Sequence, residues 1–117
     1  VISAVAIGFS LESLSTYTDI AWAHHDPSTA IGMSNREYML MVERAVVQSD
    51  VVVFDATNEN LSVDEVVIIH TAYTNRTPII AVGLRSLSPL LEEMVSQRLP
   101  GLDFVVDHLM ANYRLSK

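Results

Sequence analysis

The chain has 117 residues, half of them apolar, with 7 Lys and Arg against 14 Asp and Glu, a net charge of −7 and no cysteine. That length suits one domain with its own core and is short for two, and the apolar content excludes a disordered chain. Six scattered arginines and a single lysine, Lys117, form no basic stripe for a phosphate backbone, so nucleic acid is not an expected partner.

Without cysteine there is no disulfide framework, thiolate nucleophile or thiolate metal site, and a reducing cytoplasmic setting is compatible with that composition. The longest apolar stretches, around Val1–Phe9 and Val51–Phe54, fall short of the ~20 residues a membrane span needs. No basic residue occurs before Arg36, which argues against a signal peptide, so no membrane role is expected.

In chain order, Val1–Thr16 fits two readings. One is a strand over Val1–Phe9 followed by a short helix; the other is a single helix whose preceding strand lies upstream of Val1. Leu11 and Leu14 continue the apolar pattern at helical spacing and favour the second. Asp19–His24 then reads as a strand ending in the polar turn His25-Asp-Pro-Ser28. Ser34–Gln48 carries Tyr38, Met41, Val42, Ala45 and Val46 at helical spacing. Asp50–Asp55 is an unbroken apolar run between acids, the pattern of a strand buried on both faces of a parallel sheet.

Ser62 and Glu65 form an S-x-x-E capping box that opens a helix over Ser62–Tyr73. Pro78–Gly83 reads as the next strand, and Ser88–Leu99 as a helix with Pro89 at its first position and a stop at Pro100-Gly101. Asp103–Asp107 reads as a further strand. Strands alternating with helices predict an α/β fold: a doubly wound, Rossmann- or flavodoxin-like parallel sheet of four to five strands flanked by helices. Ligands in such sheets meet the carboxyl ends of the strands, which places His24–Ser28, Asp55–Glu65 and Gly83–Ser86 on one rim.

The segment Asp55–Glu65 is the richest in chemistry, with four carboxylates, two amides and two hydroxyls after a buried strand and at a helix start. A helix N-terminus favours an ionised carboxylate. Glu65 held there is a candidate nucleophile toward an electrophilic carbon such as a sugar anomeric centre, and Asp55 a candidate second carboxylate. The same capping box also closes a helix end with no further role. Asn58, Ser62 and Asp64 are candidate sugar contacts, and Arg85 is the one basic side chain placed near the rim. His24 and His25 point to opposite faces of an extended segment and have no evident third ligand, so no metal is expected. Met33, Met39, Met41 and Met94 read as core or interface filler, and His70 as a packed, hydrogen-bonded mid-helix histidine. No G-x-G-x-x-G, P-loop or G-x-S-x-G signature occurs, and no cofactor is expected.

The layout resembles the nucleoside 2-deoxyribosyltransferase superfamily, which includes the 2'-deoxynucleoside 5'-phosphate N-hydrolases. The residues that carry the resemblance are a helix into Asp50-Val-Val-Val-Phe-Asp55, a polar loop, a helix with Glu near its start, the strand entry Arg76-Thr-Pro-Ile-Ile-Ala-Val82 and the ending Asp103–Asp107, about Asp19 to the C-terminus. It implies a nucleoside or nucleotide at the strand ends, a Glu attacking the deoxyribose anomeric carbon, a loop after the first strand near Phe9-Ser10, and dimers or larger homo-oligomers. Counting from Ala72 and Pro78 puts the family Glu position at Ile68; counting from Asp55 puts it beside Glu65. With the first register, or without the glycines of the family's helix start, the resemblance implies a non-catalytic module that binds a nucleotide-like small molecule. For this family the chain is short, and a first strand upstream of Val1 is the expectation.

Overall fold

A computed structural model describes residues 2–25, 28, 31–57 and 61–113. Its elements are β1 (Ile2–Ile7), α1 (Leu11–Ser15), β2 (Ile20–His24), α2 (Asn35–Gln48), β3 (Val51–Asp55), α3 (Val63–Thr74), β4 (Ile79–Val82), α4 (Pro89–Met94), β5 (Gln97–Leu99) and α5 (Leu102–Asn112). The five strands form one sheet in the order β2-β1-β3-β4-β5, every pair parallel. The fold is α/β and doubly wound.

The apolar runs have no alternation because both faces of the sheet are covered. Val5, Ile7, Val52, Phe54, Ile79 and Ala81 face α2 and α3, which contribute Val42, Val46, Ile68, Ile69 and Ala72. Ala4, Val51, Val53, Ile80 and Val82 face α5, which contributes Val105, Val106 and Leu109. Phe54 is fully buried at the centre of the first layer, and burying a side chain of that size is worth about 1.5–3 kcal/mol. Both long central helices begin with a complete capping box, Ser34 with Glu37 and Ser62 with Glu65. Each box satisfies two otherwise orphaned donors and so fixes where the helix starts.

Three elements differ from the sequence expectations. The favoured single helix over Val1–Thr16 is instead a strand, Ile2–Ile7, between β2 and β3, followed by a short helix, the other of the two readings. Gly8, at φ +86°, ends the strand, and only the five residues after Ser10 are helical. The expected helix over Ser88–Leu99 stops at Met94, because Val95 turns extended and Gln97–Leu99 pair with Ile80–Val82. The expected strand Asp103–Asp107 is part of α5, whose buried Val105, Val106 and Leu109 sit at helical spacing. His70 is exposed, its ring 6.4 Å from that of Tyr73, rather than packed and hydrogen-bonded.

Candidate functional site

Chain order and spatial order part company between β1 and β3: the connection from β1 runs outward to β2, and the connection from β3 runs the other way to β4. At such a switch point the two loops diverge and leave a crevice at the strand ends. Here the crevice is framed by Gly8–Ser10 after β1 and by Asp55–Thr57 after β3, with the start of α3 above them. Ile7 pairs with Phe54, the last pair between β1 and β3, so Gly8 stands beside Asp55, the final residue of β3, which pairs with Val82 on its other side.

The approach at this point is close. A methyl group placed on Gly8 would lie 3.2 Å from Asp55 Cβ and 3.9 Å from Glu65 Oε2. Gly8 combines a left-handed φ with the absence of a side chain, and both let the β1 loop pass beside the Asp55 backbone and Cβ and the Glu65 carboxylate. Asp55 and Glu65, the two acids expected to act together, therefore converge on one glycine, each of them half-buried.

Each carboxylate is held by its own loop. Asp55 Oδ1 accepts from Thr57 N at 2.9 Å and from Thr57 Oγ1 at 2.5 Å. Glu65 Oε1 accepts from Ser62 N at 2.9 Å, while Glu65 N donates to Ser62 Oγ at 3.1 Å. The capping box fixes one oxygen of Glu65 and leaves the other, Oε2, toward Gly8.

The remaining expected site residues are distributed. Ser62 stands at the start of α3 as the cap partner of Glu65. Asp64 faces the other way, into a groove between α2 and α3 with Asn35, Tyr38, Met39, Val42, Val67 and Ile68. Burial, followed by the nearby charge of Asp64, holds the Tyr38 phenol above its usual range. Asn58 lies outside the described residues. Arg85 is exposed in the loop after β4, and its carbonyl oxygen accepts from Arg98 Nη1. Arg98 also donates to Gly83 O and to Glu92 Oε1 at 2.7 Å, so a second arginine braces this rim. Ile68, the alternative register for the family Glu, is buried beneath α2 with 3% of its surface exposed.

His24 and His25 do point apart. His24 Nε2 contacts Phe9 O at 2.6 Å, while the His25 ring stacks toward Tyr38 with centroids 6.4 Å apart. Of the methionines, Met94 is packed against the core, whereas Met33, Met39 and Met41 are about two-fifths exposed. Sequence reasoning missed Gly8, Thr57, Tyr38 and Arg98. An isolated glycine closing an apolar run was the available signal for the first; the others depend on contacts between distant segments. Among the described residues no group of three or more His, Asp or Glu is arranged to hold a metal, and no helix is long and apolar enough to cross a membrane.

No protein-family model matches the chain, and no curated protein matches it in sequence. Solved structures match its fold. A 3-dehydroquinate dehydratase-like protein from Bifidobacterium longum superposes with a TM-score of 0.57 at 14% identity, over 99% of this chain and 97% of its own. The pseudo-receiver domain of the CikA protein also gives 0.57, at 15% identity over 95% and 96%. Identities this low carry the flavodoxin-like architecture and nothing finer.

Proposed function

We propose that this chain cleaves or transfers the N-glycosidic bond of a nucleoside or nucleotide, with Glu65 as nucleophile and Asp55 as its partner carboxylate. The observation that carries the reading is the convergence of Asp55 and Glu65 Oε2 on Gly8 at the β1/β3 switch point. In the first half-reaction Glu65 Oε2 bonds to the anomeric carbon as the C–N bond breaks, and its electron pair leaves on the base nitrogen. The departing base nitrogen takes a proton from water held by Asp55, and the hydroxide left behind regains one from the attacking water or base in the second half-reaction. Water or a second base then attacks the same carbon and returns Glu65 to the carboxylate. Ser62 holds the other oxygen of Glu65 and so orients the nucleophile; Arg85, in the loop after β4, would meet a phosphate, and Asn58 is the proposed sugar contact. With a net charge of −7, long-range attraction favours a neutral nucleoside over a monophosphate.

A second reading is a nucleotide-binding module without turnover. The internal hydrogen bonds that occupy Asp55 Oδ1 and Glu65 Oε1 favour it. Self-association belongs to either reading: Leu40 and Val47 leave an apolar outer face on α2, 52% and 60% exposed. A cytoplasmic location is part of the same proposal. Incubation with deoxynucleosides and their monophosphates, followed by chromatography for free base, separates the two. Base release by the wild type and none by Glu65→Ala supports the enzyme; an inert wild type whose melting temperature rises with a nucleotide supports the module.

A further inference from the structure

The groove between α2 and α3 contains a polar group that the fold leaves unanswered. Its volume is about 390 Å³, within the range of small-molecule sites. It continues over Val42 and Ile68 into a hollow of about 230 Å³ bordered by His25, Met41 and Ala45. Tyr38 borders the groove and His25 the hollow; Tyr38 Oη and His25 Nε2 are both shielded from solvent, and neither has a hydrogen-bond partner. Buried polar atoms are almost always paired, because an unmade hydrogen bond costs free energy that the folded chain does not recover elsewhere.

We propose that this groove binds a small, neutral, flat heterocycle whose hydrogen-bonding edge meets Tyr38 Oη and His25 Nε2. The apolar walls Met39, Val42, Val67 and Ile68 suit a flat apolar face. The His25 and Tyr38 rings are inclined by only 23°, a stack to which a third planar ring adds. Asp64 at the mouth accepts from ring N–H groups and repels anions. Tyr38 carries a phenol that is protonated at physiological pH and so can donate. The inference does not depend on Glu65 chemistry, since Oε2 of Glu65 faces Gly8 rather than this groove.

The test is calorimetric titration of the full chain with free adenine, and with benzoate as a flat anion of comparable size. Saturable adenine binding with no benzoate binding is expected. Tyr38→Phe, which removes one oxygen atom, should weaken adenine at least tenfold while leaving the melting temperature of the unliganded protein unchanged or higher. Val67→Phe, which narrows the groove from its exposed rim, should weaken it likewise, and Glu65→Gln should bind adenine as the wild type does. The proposal is overturned by an absence of saturable adenine binding, by undiminished binding to Tyr38→Phe, or by a lower melting temperature of unliganded Tyr38→Phe. The last outcome would mean that the hydroxyl is already satisfied within the fold.

Discussion

Gly8 and Asp55 are so close that a side chain on Gly8 would crowd the end of β3: a methyl group there would stand 3.2 Å from Asp55 Cβ. The contact follows from topology. β1 ends one residue short of its parallel neighbour β3, with Ile7 opposite Phe54, so the β1 chain turns beside Asp55 on its way to α1. Glu65 enters the same space from above because its capping box fixes the first turn of α3.

Substituting that glycine tests the geometry. Gly8→Ala should lose about 1–3 kcal/mol, since an L-residue at φ +86° is strained and the added carbon presses on Asp55. Gly83→Ala should lose more, because φ is +115° there and the new carbon would stand 2.8 Å from Thr57 Cγ2. Urea unfolding curves of the two variants beside the wild type provide the comparison; a neutral Gly8→Ala would contradict the close approach.

Glu65 has separable structural and chemical roles. Glu65→Gln keeps an oxygen for Ser62 N and should cost at most about 1 kcal/mol, the worth of a charge at a helix start. Glu65→Ala removes half of the capping box and should cost about 0.5–2 kcal/mol. Base release should vanish in both. Retention of turnover in Glu65→Gln would assign the chemistry elsewhere.

How much of this was legible beforehand depended on whether a local rule decided the element. The capping box Ser62/Glu65 and the run Asp50–Asp55 needed only neighbours in sequence, and α3 and β3 stand where those signals put them. Val1–Phe9 was harder, because a strand buried on both faces shows no alternation and Leu11 and Leu14 extend its apolar pattern. Asp103–Asp107 misled for a related reason: five residues are too few to tell the strand period from the helix period. The decisive partners Leu102 and Leu109 lie outside that window, and Gly101 offers no side-chain cap to announce the helix. The convergence of Asp55 and Glu65 required the register of β1 against β3, which no local pattern encodes.

The helical reading of residues 102–112 has its own consequence. Leu109 is fully buried against the sheet and Phe104 is 52% exposed. Leu109→Ala should therefore cost about 2–5 kcal/mol, whereas Phe104→Ala should cost less than about 1 kcal/mol. The reverse order in denaturant unfolding would refute the placement of α5.

Two tyrosines predict behaviour at high pH. Burial first, then the charge of Asp64, raises the Tyr38 phenol; burial first, then Asp50, raises Tyr113. Both start from an ordinary value of 10.0, so the folded chain holds these protons more tightly than the unfolded one. The stability they contribute is complete below that value and is lost as pH rises through the folded values. Thermal melts between neutral and strongly alkaline pH should show the fall, and the double variant Tyr38→Phe, Tyr113→Phe should fall less steeply; an identical slope would contradict it.

Self-association through the outer face of α2 is tested by Leu40→Lys. The substitution places a charge where an apolar residue is half exposed, and it should shift sedimentation toward the monomer with little change in melting temperature. An unchanged distribution of species would remove α2 from the interface.

The most direct measurement of the central claim is intact-mass analysis of the protein quenched during reaction with a deoxynucleoside. A carboxylate nucleophile at the switch point predicts a deoxyribosyl adduct that maps to the peptide containing Glu65 and is absent from Glu65→Gln. Release of free base by the wild type with no adduct, and at an equal rate in Glu65→Gln, would contradict it.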